Sequence, residues 1–204
     1  MNRLARDLKK PAQPIIIVSG LPRSGTSMMM KMLAAGGLPI LTDNLRQADE
    51  SNPKGYYEFE RVKKLKENDN QWLVDARGKA VKIISALLEY LPPDHPYKII
   101  FMRRELGEIL ASQKKMLIRQ GKPTDDVSDE KLAGIYQKHL AKVGTWLVSQ
   151  PNIEVHYTSY NDLIADPQQH LPPILQFLAT PLDNQAMLQV IDPDLYRQRN
   201  SPGG

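Results

Sequence analysis

The sequence predicts an α/β protein, a three-layer sandwich around a central parallel sheet of four to five strands. Three observations carry that expectation. Short apolar runs rich in β-branched residues recur along the 204 residues, at Ile15-Ile16-Ile17-Val18, Lys79 to Ser85, Tyr97 to Met102 and Ile153 to Tyr157. Stretches with helical spacing separate them, and parallel strands need such crossovers to return to the same end of a sheet. The first run is apolar at consecutive rather than alternate positions, the pattern of a strand buried on both faces.

Taken in order, residues 1–13 read as a basic leader ahead of one domain that occupies the chain. After the first strand comes the turn Gly20-Leu21-Pro22-Arg23-Ser24-Gly25, then a helix from about Ser24 to Ala35 that stops at Gly36-Gly37. Its Met28, Met29, Met30, Met32 and Leu33 read as core. Residues 38–57 are polar and irregular, the character of a substrate-facing loop. Glu58 to Asn68 reads as a charged, mostly exposed helix. A short apolar helical turn reaches Leu91 before the Pro92-Pro93 break. The strand from Tyr97 runs into Arg103-Arg104 and a helix from about Leu106 to Arg119. Ser128 caps a long helix to Gln150. Tyr160 to Leu163 reads as a turn, helices follow near Leu171 to Ala179 and Asn184 to Ile191, and residues 200–204 form a frayed tail.

Composition narrows the function classes. The net charge of +4 suits an anionic ligand, but no dense Lys/Arg stripe or aromatic-basic module points to nucleic acid. With no cysteine there are no disulfides, thiolate metal sites or thiol nucleophiles. No apolar run is long enough for a signal or a membrane span, so no membrane partner and a cytoplasmic location are expected. His95, His139, His156 and His170 lie far apart in sequence, and surface or core roles are expected for them.

Strand, glycine-bounded loop and helix in that order make an anion cradle. Backbone N–H groups at the helix start and the positive end of its dipole converge on one point. Gly20 and Gly25 have the GxxxxG spacing of a Walker A loop, but Thr26 stands where that motif has lysine, and the positive charge sits inside the loop at Arg23. Walker-type chemistry also needs an acidic residue at a strand end to hold magnesium. Here the third strand ends in Arg103-Arg104. That pattern suits an anionic donor bound without metal. Ligands of parallel sheets lie beyond the carboxyl ends of the strands, so the loops Gly20 to Ser27, Ser85 onwards and Arg103 to Glu105 face one site.

Pro22-Arg23-Ser24-Gly25-Thr26-Ser27 resembles the 5′-phosphosulfate loop of the PAPS-dependent sulfotransferases, a family with a P-loop-like fold. The family's second signature, an arginine at a strand end and a serine eight positions later, is matched by Arg104 and Ser112. Tyr160-Asn161-Asp162-Leu163 with Asp166-Pro167 is similar to the Tyr-Glu-Asp-Leu…Asp-Pro segment, and Asn52-Pro53-Lys54-Gly55-Tyr56-Tyr57-Glu58 to a stretch in bacterial members. The resemblance implies transfer of a sulfonate from PAPS (3′-phosphoadenosine 5′-phosphosulfate) to a hydroxyl or amine of a small-molecule or glycan acceptor, with PAP as product and no metal. It implies 5′-phosphate contacts from Pro22, Arg23, Ser24, Gly25, Thr26 and Ser27, 3′-phosphate contacts from Arg104 and Ser112, and an adenine contact from Tyr160. Because eight helical residues span ~12 Å, Arg104 must fold back to share a phosphate with Ser112.

The chain also departs from the family pattern. Leu106 replaces the usual proline, the Arg-Lys-Gly motif of cytosolic animal members is absent, and Arg197 and Arg199 are candidates to substitute for it. The segment Lys82-Ile83-Ile84-Ser85 lacks the histidine those members use as base. A carboxylate then becomes the expected base, Glu58 ahead of Asp43, with Lys82 as a candidate contact to the transferring sulfonate. Two rival readings remain, an ATP-dependent small-molecule kinase on the same fold and a non-catalytic nucleotide-binding protein.

Overall fold

The computed structural model describes residues 12–43, 57–124 and 127–191. Four parallel strands form the sheet: β1 (Ile15–Gly20), β2 (Ala80–Lys82), β3 (Tyr97–Arg103) and β4 (Ile153–Ser159), in the order β2-β1-β3-β4. The α/β class with a central parallel sheet is therefore as the sequence predicts. Every residue of β1 is buried, the physical reason its apolar run does not alternate.

The helices are α1 (Thr26–Ala35), α2 (Leu106–Arg119), α3 (Asp129–Val148), α4 (Tyr160–Ala165), α5 (Pro167–Leu178) and α6 (Asn184–Leu188). Ile16, Val18, Ile100 and Met102 pack one face of the sheet against Met29, Met30, Leu33, Leu163, Ile174 and Met187. Ile15, Ile17, Ile99 and Phe101 pack the other face against Val143, Leu147 and the short 3₁₀ segments Glu60–Glu67, Gln71–Leu73 and Ser85–Tyr90. Sequence-adjacent β1 residues thus feed opposite cores.

Several elements differ from expectation. The helix after the loop begins at Thr26, so Ser24 stays in the turn. The charged, mostly exposed helix is present as a 3₁₀ helix, Glu60–Glu67, and Glu58 precedes it. Its Val62 and Leu65 eclipse one another at three-residue spacing and both enter the core, a pattern hidden by the charges around them. Residues Tyr160–Ala165 form a helix, capped by the Ser159 hydroxyl, where a turn was expected. Helix α5 starts at Pro167, capped by Asp166, and contains Pro172 and Pro173. Burial of Leu171, Ile174 and Leu178 outweighs the backbone donors lost at those prolines. The leader up to residue 11, residues 44–56 of the expected substrate loop, Arg197, Arg199 and the tail lie outside the described residues.

Sheet order positions the site. The chain leaves β1 for β2 on one side and returns to β3 on the other, so β1 and β3 flank the switch point where parallel sheets open a crevice. Gly20 pairs with Met102, which places the glycine loop beside Arg103 and Arg104.

Candidate active site

The loop between β1 and α1 is shaped by backbone conformations that few residues adopt. Arg23 has φ 72° and Gly25 φ 96°. A side-chain carbon on Gly20 would lie 2.5 Å from both the Met102 carbonyl oxygen and the Ser24 hydroxyl. One on Gly25 would lie 2.3 Å from the Tyr160 ring. Only glycine fits either position. The N-cap of α1 is Gly25 itself, no side chain caps the helix, and its first turn carries no acid. That helix end offers its N–H groups and dipole to an anion. The buried Ser24 hydroxyl finds no protein hydrogen-bond partner. Pro22 stands exposed on the turn.

Arg23 links the loop to the rest of the crevice. Its Nε donates to the Ser112 hydroxyl at 2.9 Å, and its carbonyl accepts from Nη1 of Arg104 at 3.2 Å. Arg23 therefore touches both the arginine and the serine that the sequence singled out, the one through its carbonyl and the other through its guanidinium. Arg104 precedes α2. Its Nε donates to Glu108 at 2.9 Å, and its guanidinium lies 4.4 Å from the centre of the Tyr160 ring. Tyr160 is buried, and that burial raises its phenol pKa against the lowering pull of Arg104, so the ring stays protonated and neutral. Arg103, by contrast, is exposed and stacks on Tyr157 at 3.9 Å.

A second group meets the loop from the β2 side. Lys82 Nζ donates to the Ser27 hydroxyl at 3.4 Å and lies 3.7 Å from Glu58 Oε1. Thr26, the first residue of α1, lies between Gly25 and Ser27 in the chain. Asp43 is used otherwise. Its carboxylate accepts from the Glu60 backbone N–H at 2.6 Å, at the start of the 3₁₀ helix, while its own N–H donates to the Glu58 carbonyl at 3.3 Å. Of the two carboxylates singled out from sequence, Glu58 is the one whose side chain meets Lys82.

Glu108, and Asn161 beyond its place in the Tyr160-Asn161-Asp162-Leu163 segment, carry no role in the sequence reading, although both join this network. Asn161 Nδ2 donates to Glu108 Oε1 at 3.1 Å. The signal was the Arg104/Glu108 spacing of four residues across a helix start, which brings such side chains onto one face. Among the described residues no group of three or more His, Asp or Glu is arranged to hold a metal ion. His139 meets the Ser85 hydroxyl at 2.9 Å and His156 stacks on Phe177.

The chain belongs to the sulfotransferase domain family, which it matches over residues 13–194. It is a sulfotransferase, and its reaction is the transfer of a sulfonate group. No curated protein sequence is detectably similar to it. Among solved structures it is similar to the sulfotransferase domain of the Synechococcus olefin synthase, with 16% identity, 96% of this chain and 91% of that chain covered, and a TM-score of 0.56. A sulfotransferase from Mycobacterium tuberculosis matches with 18% identity over 87% of this chain and 71% of that one, TM-score 0.56. Retinol dehydratase, solved with androsterone and the inactive cofactor PAP, matches with 17% identity over 92% and 65%, TM-score 0.51. These likenesses show the shared P-loop-like fold.

Proposed function

We propose that this sulfotransferase takes PAPS as donor and passes its sulfonate to a hydroxyl or amine of a small-molecule or glycan acceptor, in the cytoplasm and without metal. The observation that carries the reading is the Arg23 bridge, which links the glycine loop to Arg104 and Ser112 and so makes one anion site from two halves. A donor with phosphates on the 3′ and 5′ oxygens of one ribose is the ligand we assign to those two halves.

The donor supplies an activated sulfonate on a phosphate oxygen. The loop N–H groups after Ser24, with Arg23, Thr26 and Ser27, are assigned to the 5′-phosphate, where negative charge grows as the sulfur–oxygen bond breaks. Arg104 and Ser112 are assigned to the 3′-phosphate, the arginine in the forked manner that suits phosphate. Tyr160 is assigned to the adenine side. Lys82, bonded to Ser27, is directed to the transferring sulfonate. Glu58 is assigned as base: it takes the proton of the acceptor as the acceptor oxygen or nitrogen bonds sulfur, and PAP leaves with the electron pair of the broken bond. Contact with Lys82 favours Glu58 over Asp43, whose carboxylate holds a helix start instead.

Calorimetric titration tests the donor. PAP is expected to bind tightly and equally with or without magnesium, and ATP weakly in both. Tight ATP binding that needs magnesium would replace this reading with the kinase one. Tight PAP binding with no turnover across hydroxyl and amine acceptors would favour a binding-only protein.

A further inference from the structure

Beside the site sits a charge of the wrong sign for it. Glu108 is 3% exposed, and its carboxylate lies within hydrogen-bond distance of the arginine assigned above to a phosphate. An acid placed there opposes anion binding unless it does something more useful than it costs. Its contacts show what that is. Oε2 accepts from Arg104 Nε at 2.9 Å, and Oε1 accepts from Asn161 Nδ2 at 3.1 Å. Asn161 is itself held, its Oδ1 accepting from the Glu105 backbone N–H at 3.3 Å. Arg104 is then gripped along its Nε edge by Glu108, at Nη1 by the Arg23 carbonyl and across one face by Tyr160. Tyr160 and Asn161 are consecutive residues of the first turn of α4, so a single helix start delivers both the ring and the amide.

We propose that Glu108, oriented by Asn161, is a positioning residue that sets the direction of Arg104 and thereby the enzyme's preference for a donor bearing a 3′-phosphate. The inference rests on the reading that Arg104 meets that phosphate. A long arginine ordinarily loses rotamer freedom when it binds an anion, and here that loss is taken in folding, before any donor arrives. The neutral amide of Asn161 fits this arrangement, because a carboxylate at that position would face Glu108 and loosen the clamp.

The test compares PAP with AMP, which lacks the 3′-phosphate, by calorimetry on the wild-type protein and on Glu108→Gln, Asn161→Ala and Arg104→Ala, with thermal unfolding of each. Glu108→Gln is expected to lose about tenfold or more in PAP affinity, the scale of a hydrogen bond to a charged group, while AMP affinity stays unchanged. Asn161→Ala, which keeps both members of the ion pair, is expected to show a smaller selective loss, and it carries the test should Glu108→Gln fail to fold. PAP binding by Glu108→Gln as tight as wild type, or tighter, would overturn the inference, since the carboxylate would then merely compete with the phosphate. Equal loss for PAP and AMP would overturn it too, as a general structural effect. The Arg104→Ala arm separates the premises: equal loss for both ligands there removes the 3′-phosphate reading itself, whereas a selective loss there without one in Glu108→Gln removes only the positioning role.

Discussion

At Gly25 a single methyl group decides whether the anion loop can form. The residue has φ 96°, and its missing side chain leaves the space that the Tyr160 ring fills. Gly25→Ala is expected to cost about 2–4 kcal/mol, combining the left-handed backbone penalty with steric overlap against the ring. Denaturant unfolding measures that loss, and calorimetry should show weakened PAP binding in whatever protein remains folded. A variant as stable as wild type would mean that Tyr160 moves aside without cost. The glycine was legible in the sequence as a turn residue. Its contact partner was not, because Tyr160 lies far along the chain and only the fold brings it back.

The element scale separates two carboxylates that the sequence only ranked, Glu58 ahead of Asp43. Asp43 serves the start of the 3₁₀ helix Glu60–Glu67, while Glu58, just before that helix, faces Lys82. Asp43→Ala is expected to lower stability by about 1 kcal/mol, the scale of a lost helix cap, with turnover per folded molecule retained. Glu58→Gln is expected to do the reverse, keeping unfolding midpoint and PAP affinity while turnover falls about a hundredfold or more. Assays of both variants with the same acceptor decide it: a rate loss confined to Asp43→Ala would move the base to that residue. The same scale explains how the charged helix is held. Its charges advertise an exposed face, yet the pair Val62 and Leu65 is enough to anchor a short 3₁₀ turn in the core. Periodicity over so few residues is too brief to show in sequence.

At the scale of the whole molecule, pH is expected to act through two half-buried histidines on opposite sides of the sheet. Burial lowers the pKa of His139, with Glu89 raising it and Lys142 lowering it further, and burial lowers that of His156. A histidine whose folded pKa is depressed binds fewer protons folded than unfolded. Its contribution to stability is therefore complete above the unfolded value of about 6.5 and is lost as pH falls through the folded one. The unfolding midpoint is expected to drop between pH 7.5 and 5.5, and His156→Gln is expected to make that drop shallower. A midpoint that rises on acidification would contradict the assignment. Neither histidine's environment was visible in the sequence, where all four appeared scattered.

Local residue order alone determined the strands, the glycine loop, the absence of a Walker lysine and the Arg104/Ser112 spacing, because each depends on neighbours within a turn or two of chain. Those features were sufficient for the α/β class and the family. Which side chains meet was decided only by tertiary structure. The strand order β2-β1-β3-β4 sets the loop beside the exit of β3, so Arg23 comes to bridge residues 81 and 89 positions away. The same packing delivers Tyr160 and Asn161 from α4 to the back of Arg104, and turns Glu58 rather than Asp43 toward Lys82. Contacts between distant segments follow from crossover handedness and core burial across the whole sheet, and no local pattern encodes them.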